Sequence, residues 1–278
     1  MAKKLIEMAI AYDFDGTLAP GNMQEYNFIP ELKISPQDFW NEAKKLAKKQ
    51  ESDEILAYMR VMLQKADHAE IPVRKVDFQN FGKDISLFPG VETWFKRVNK
   101  YARDKGIKIS HYIISSGIRE MIEGTKIAKE FEKIYASGFM YDHNMVANWP
   151  ALAVNYTTKT QYLFRINKGS LDIHDNSKIN KFVPNSERPV PFENIVFIGD
   201  GETDIPCMKL VKQLGGHSIA VYTGKKKGAK NNAKKLIDED RASFVTKADY
   251  SEGSAIEKAV KLIIDKVSAH EQLKLVKE

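Results

Sequence analysis

Three short apolar runs in this chain end on acids or hydroxyls. Ile6–Phe14 ends on Asp13 and Asp15, Ile107–Ile114 runs into Ser115 and Ser116, and Asn194–Ile198 runs into Gly199 and Asp200. Strands of a parallel sheet read this way, because helices cover both faces and leave only the strand ends polar. Helical spacing follows each run, over Val91–Lys105, Ile118–Glu132 and Thr203–Leu214. Lys133–Ala136 and His217–Val221 read as further strands, Asn176–Phe182 as a short helix and Ala255–Val276 as a mostly helical tail. The alternation predicts an α/β fold with a doubly wound parallel sheet. Its chemistry belongs at the carboxyl ends of the strands, where Asp13 with Asp15, Ser115 with Ser116, and Asp200 with Asp204 sit.

Two segments break the alternation. Residues 20–87 hold no strong strand; Pro20, Gly21, Pro30 and Pro36 punctuate a loop that leads into helical spacing over Pro36–Lys49 and Ser52–Ala66, with Ser35 and Ser52 as N-caps. Residues 139–166 are rich in Tyr, Phe, Val and Thr, which predicts a hairpin or small antiparallel excursion. The expected organisation is a core of residues 1–19 and 88–278 with a smaller helical domain, 20–87, inserted.

Composition excludes several classes. The chain has 278 residues, 43 Lys+Arg and 37 Asp+Glu, for a net charge of +6, which suits an anionic substrate without demanding nucleic acid. No apolar run approaches the roughly 20 residues of a membrane span, and Met1-Ala2-Lys3-Lys4 leads into too short an apolar stretch for a signal peptide. One cysteine, Cys207, rules out an intrachain disulfide and points to a reducing, cytoplasmic compartment, where it reads as a packed thiol. The six histidines lack metal-ligand spacing. Lys225-Lys226-Lys227, with Lys230, Lys234 and Lys235, has no interleaved aromatics and reads as a solvated face rather than a nucleic-acid site.

The strand ends carry the chemistry. In Asp13-Phe14-Asp15-Gly16-Thr17, two carboxylates two residues apart face one site if the chain turns at Gly16. One could attack a phosphoryl group while the other handles protons. A calcium loop would need a Glu at position 24, which is Gln. Ser115 and Ser116, just before a helix start, can donate to a phosphate oxygen, or simply cap the helix. Asp200 and Asp204, four apart after a strand, can hold a divalent cation; oxygen-only ligation favours Mg²⁺, with N-capping as the plain alternative. Lys178, 22 residues before Asp200, could neutralise a transferring phosphoryl group, with Lys168 and Lys181 as nearby competitors.

In chain order the pattern is D-x-D-G-T, hydrophobic-Ser, Lys, then G-D-x-x-x-D. It resembles the haloacid dehalogenase superfamily, most of whose members are phosphohydrolases. The resemblance implies an aspartyl-phosphate on Asp13, with Asp15 as general acid and then base. Ser115, with Ser116, and Lys178 would bind the phosphate. Asp13, Asp15 (through its backbone carbonyl) and Asp200 would hold Mg²⁺, with Asp204 orienting a metal-bound water or the lysine. Dehalogenases of the family usually lack the second acid, so Asp15 favours phosphoester hydrolysis. The insert at 20–87 would be a mobile cap, as in the phosphoserine-phosphatase-like branch, and Glu25, Tyr26, Phe28, Arg60 and Arg74 are its candidate contacts, although such loop and charged residues mostly serve solvent or the insert's own core.

The expected activity is therefore Mg²⁺-dependent hydrolysis of a small phosphomonoester by a monomer or homodimer, with no nucleic-acid or membrane partner. A phosphotransferase or mutase, and a catalytically quiet phospho-ligand or protein-binding relative, are the alternatives.

Overall fold

Strand β1, Ile6–Tyr12, alternates Met8, Ile10 and Tyr12 on one face with Ala9 and Ala11 on the other, and all five are fully buried. Such a strand belongs at the centre of a sheet covered on both sides. In the computed structural model, which describes residues 5–224 and 228–276, it does. The remaining strands are β2 (Ile107–Ile118), β3 (Lys133–Tyr141), β4 (Ala147–Leu152), β5 (Ile195–Gly199), β6 (His217–Tyr222) and β7 (Phe244–Lys247), in the order β4-β3-β2-β1-β5-β6-β7. All neighbours pair parallel except β3 and β4, which form an antiparallel edge. The fold is α/β with a doubly wound sheet, as expected. The chain leaves β1 for β2 on one side and returns to β5 on the other, so the order reverses between β1 and β5. A crevice opens at such a reversal, beyond the carboxyl ends of the strands.

Helices α1 (Phe28–Glu31), α2 (Pro36–Gln50), α3 (Glu54–His68) and α4 (Lys75–Gly82) precede the first crossover helix, α5 (Val91–Asp104). Ser35 caps α2 as expected, but Asp53 rather than Ser52 caps α3. The apolar faces of α1–α4, among them Phe28, Phe39, Met59, Met62 and Phe78, are continuous with the core on the Tyr12 face of the sheet, where Trp94 and Phe95 of α5 also lie. Phe78 stacks on Phe139 of β3 with ring centroids 5.3 Å apart. The helical block thus shares its core with the sheet.

Two predicted elements differ, and two others arise where none was expected. The helix expected over Ile118–Glu132 is only α6, Arg119–Glu123, because β2 runs on to Ile118 and the chain turns at Gly124. A Cβ on Gly124 would meet the Gln79 carbonyl at 1.9 Å, so glycine here lets α6 and α4 pack backbone to backbone. The 139–166 excursion is shorter than expected: β3 belongs to the main sheet, β4 closes a hairpin with it, and Lys159–Lys168 is a helix, α7. Its aromatics suggested strand, but Tyr162, Leu163 and Ile166 are buried at helical spacing and Gly169, at φ +65°, ends it. Strand β7 and helix α10 (Ala229–Asp238) fall where no element was predicted.

The other face of the sheet packs on α7 and on α9 (Ile205–Gln213), with Leu163, Ile166, Cys207 and Met208 against Ala9, Ala11 and Phe197. Helix α8, Asn176–Asn180, and the C-terminal α11, Ala255–Val276, complete the fold. Lys230, Lys234 and Lys235 lie exposed on α10. Met1-Ala2-Lys3-Lys4 and Lys225-Lys226-Lys227 lie outside the described residues. Among the described residues, no helix is long and apolar enough to cross a membrane.

Candidate active site

The register across β2, β1 and β5 places Tyr12 beside Ile113 and Ile198, so the residues just after each lie side by side at the sheet edge. Asp13, Asp15, Ser115, Ser116 and Asp200 accordingly line one cavity of about 710 Å³, with the α2–α3 segment as its far wall. The turn after β1 depends on Gly16. Its φ is +74°, and a Cβ there would lie 2.1 Å from Asp200 Oδ2. Gly199, the last residue of β5, instead leaves room for a neighbouring acid: a Cβ there would meet Asp204 Oδ2 at 2.5 Å.

The buried cation of this cavity is Lys159, the first residue of α7. Its Nζ lies 2.7 Å from Asp204 Oδ1, to which it donates a hydrogen bond, and 3.1 Å from Asp13 Oδ1. Burial alone would push Lys159 down, but the charges of Asp13 and Asp204 outweigh it and hold the ammonium protonated. Lys178 is not part of this arrangement. It stands exposed on α8, 3.5 Å from Asp175, in a separate depression with Lys133 and Asp172. Topology is the reason. Helix α7 starts at the carboxyl edge of the sheet and runs back toward the amino edge, marked by Lys133 at the start of β3, so the chain has left the site before residue 178. Lys168 is likewise remote, donating to the Ile179 and Lys181 carbonyls. A sequence signal for Lys159 did exist: Asn155 followed by Thr157 and Thr158 is helix-start chemistry. Reading the segment as strand hid it.

The acids divide by their partners. Asp204 Oδ1 accepts from Lys159, and its Oδ2 accepts from the amides of Asp200 and Gly201 at 3.1 and 3.2 Å. Carboxylate oxygens of Asp13, Asp200 and Asp204 lie within 4.8 Å of one another, and the Asp15 carboxylate falls outside that grouping. Asp15 Oδ1 accepts from the Met23 amide at 2.9 Å. Burial raises Asp13 to about 6, against the pull of Lys159. Burial, then the charge of Asp13, pushes Asp15 well above the carboxylate range. Asp200 is open to the cavity's solvent yet ringed by protein; this desolvation, with the charges of Asp13 and Asp204, pushes it up to about 8. One lysine does not neutralise the three carboxyls of this cluster. An all-oxygen donor set with this excess of negative charge fits a hard divalent cation such as Mg²⁺. Asp13 and Asp200 have the oxygens to hold it, whereas those of Asp204 are already engaged.

At the end of β2, Ser115 is buried and its Oγ accepts from the Gly117 amide at 3.1 Å. The Ser116 hydroxyl is buried and has no partner among the described residues, and its carbonyl accepts from Tyr58 of α3 at 2.6 Å. Glu25, Tyr26, Phe28, Arg60 and Arg74 do not line the cavity. Glu25 accepts from Asn22 and Trp40, Tyr26 donates to the Pro20 carbonyl, Phe28 is core, and Arg74 precedes α4. Trp40, Lys44, Asp53 and Tyr58 line the far wall instead.

Residues 10–209 match the model of the haloacid dehalogenase-like hydrolase family. The chain belongs to this family. The match spans every carboxylate of the cluster, and Lys159 and both serines as well. A relative, an uncharacterized protein of Borreliella burgdorferi, is 32% identical over 279 residues, covering 90% of this chain and 93% of that one. Among solved structures, a phospho-aspartyl intermediate analogue of phosphoserine phosphatase superposes with a TM-score of 0.55 at 16% identity, covering 92% of this chain and 99% of that one. A probable phosphoserine phosphatase from Vibrio cholerae gives 0.56 at 14% identity, covering 95% and 67%. An HAD family hydrolase from Salmonella enterica serovar Typhi gives 0.55 at 17% identity, covering 87% and 67%. At these identities the hydrolase shares their fold.

Proposed function

We propose that this hydrolase is a Mg²⁺-dependent phosphatase that cleaves a small phosphomonoester through an aspartyl-phosphate on Asp13. The observation that carries the reading is the ion pairing of Lys159 with Asp13 and Asp204 at the point where the sheet order reverses. A phosphate dianion and an aspartate repel. Lys159 offsets that charge, as would a divalent cation held by Asp13 and Asp200, and Ser115 and Ser116 offer hydroxyls to the remaining phosphoryl oxygens. When bound to Asp13, Asp200 and the Asp15 carbonyl, Mg²⁺ supplies electrostatic stabilisation of the transferring group.

The steps balance on the chain's own residues. An Asp13 carboxylate oxygen attacks phosphorus, the ester P–O bond breaks, and protonated Asp15 gives its proton to the leaving alkoxide. Asp15, now a carboxylate, takes a proton from water as that water attacks phosphorus. The Asp13–phosphoryl bond breaks, phosphate leaves and both acids return to their first state. The Met23 amide holds one Asp15 oxygen, and burial favours the protonated form that the first step needs. Residues 20–87 act as the cap over this site, and the one buried cysteine suits a cytoplasmic setting.

The test is hydrolysis of an aryl phosphate with Mg²⁺, with EDTA, and by Asp13→Asn, followed by beryllofluoride trapping at Asp13. Metal-dependent turnover lost in the variant supports the reading. Absence of both turnover and adduct overturns it.

A further inference from the structure

Lys159 is a cation at the first position of a helix, where the backbone dipole opposes it, and α7 has no acid in its first turn. Something must hold that turn in place. Asn155 does so. Its Oδ1 accepts from the amides of Thr157 and Thr158 at 3.0 and 2.9 Å and from the Thr157 hydroxyl at 2.7 Å. Its backbone carbonyl accepts from the Lys159 amide at 2.9 Å. The other half of the Asn155 amide reaches across the cavity: Nδ2 donates to Asp53 Oδ2 at 2.7 Å. Asp53 belongs to the helical block, where its Oδ1 caps α3 by accepting from Ile55 and Leu56 at 2.8 and 3.1 Å.

We propose that Asp53 and Asn155 are positioning residues that tie the helical block to the turn carrying Lys159, so that the seating of α3 over the cavity sets the register of Lys159 against Asp13. The inference rests on the phosphatase reading for its effect on rate, while its effect on the Lys159 turn stands without it. The chain of contacts runs α3 N-cap, Asp53, Asn155, first turn of α7, Lys159, and each link is a single hydrogen bond or one backbone step. Each of the two side chains caps its own helix with one oxygen and spends its remaining group on the other.

That division supplies a clean experiment. Asp53→Asn keeps an oxygen for the α3 cap and removes the acceptor for Asn155. Asn155→Asp keeps the oxygen for the α7 turn, removes the donor and sets two carboxylates together. The combined D53N/N155D swap restores a donor and an acceptor with reversed polarity. On full-length protein with Mg²⁺ and an aryl phosphate, each single change should lower kcat by about tenfold with KM little changed, and the swap should recover most of that loss. Hydrogen exchange of the Thr157–Thr160 amides should quicken in each single variant and slow again in the swap. Single variants with wild-type kcat and exchange, or a swap no better than the product of its singles in both measurements, would overturn the proposal. If the wild type neither hydrolyses the ester nor forms the beryllofluoride adduct, the phosphatase reading fails, while the exchange pattern alone still decides the link.

Discussion

Lys159 Nζ sits 2.7 Å from Asp204 Oδ1, and neither side chain is more than 1% exposed. Both Asp204 oxygens are engaged, one by the ammonium and the other by two backbone amides. Asp204 is therefore fixed to the turn after β5, and Lys159 is fixed to Asp204, so a side chain from α7 reaches Asp13 at a set distance.

Lys159→Met should lower kcat by about 10²–10³-fold, the order seen when one preorganised stabilising donor is removed from an active site. Lys178→Met, on the exposed α8, should leave kcat within about twofold, as expected for a side chain outside the site. Parallel steady-state kinetics on the two variants check the assignment. Equal losses, or a loss only at Lys178, would refute it.

Mg²⁺ should stabilise the folded protein, because only the folded chain brings Asp13 and Asp200 together. Linkage gives about 2.7 kcal/mol at a concentration one hundred times Kd. Thermal melts with and without Mg²⁺ should show a rise in Tm that EDTA reverses. Asp200→Asn should abolish most of that rise.

Gly16→Ala should cost both stability and activity. The residue sits at φ +74°, and the new methyl would fall on the Asp200 carboxylate. Strain of this kind costs about 1–3 kcal/mol. Denaturant melts should show the loss, and the Mg²⁺-dependent rise in Tm should shrink as Asp200 moves. Unchanged stability would show that the turn relaxes freely.

His111 should make the fold acid-sensitive. Trp94 donates to the Tyr12 hydroxyl at 2.9 Å, Tyr12 donates to His111 Nδ1 at 3.0 Å, and Nε2 donates to Asn99 Oδ1 at 2.9 Å. The ring is held neutral, and burial lowers it to about 3. The unfolded histidine binds its proton near its ordinary 6.5, so the unfolded state takes up the proton first. The stabilisation is complete above that pH and is lost as pH falls toward 3, at up to about 1.4 kcal/mol per pH unit. His111→Gln should flatten this part of a stability-against-pH curve relative to the wild type.

The acids of the cavity, and Ser115 beside them, were legible in the sequence because their positions follow from strand ends. Asp13, Asp15, Ser115 and Asp200 each stand at the end of an apolar run, and parallel pairing in register brings such ends together whatever the loops do. The lysine was not legible in the same way. It sits on a crossover helix, and which of Lys159, Lys168 and Lys178 meets Asp13 depends on where α7 starts relative to the sheet edge. The far wall was obscured for a related reason: Trp40, Lys44 and Asp53 face the cavity only because α2 and α3 pack on the sheet core through Phe39, Tyr58 and Met59.

By itself, then, the sequence determined the central parallel strands, their direction and the acids at their carboxyl edge, since these depend on local apolar patterning with a period the chain carries in each short segment. Only the tertiary structure decided which cation completes the site and which residues face it. A helix presents a different side chain every 100° or so, and the choice among them is made by distant residues that no local pattern encodes.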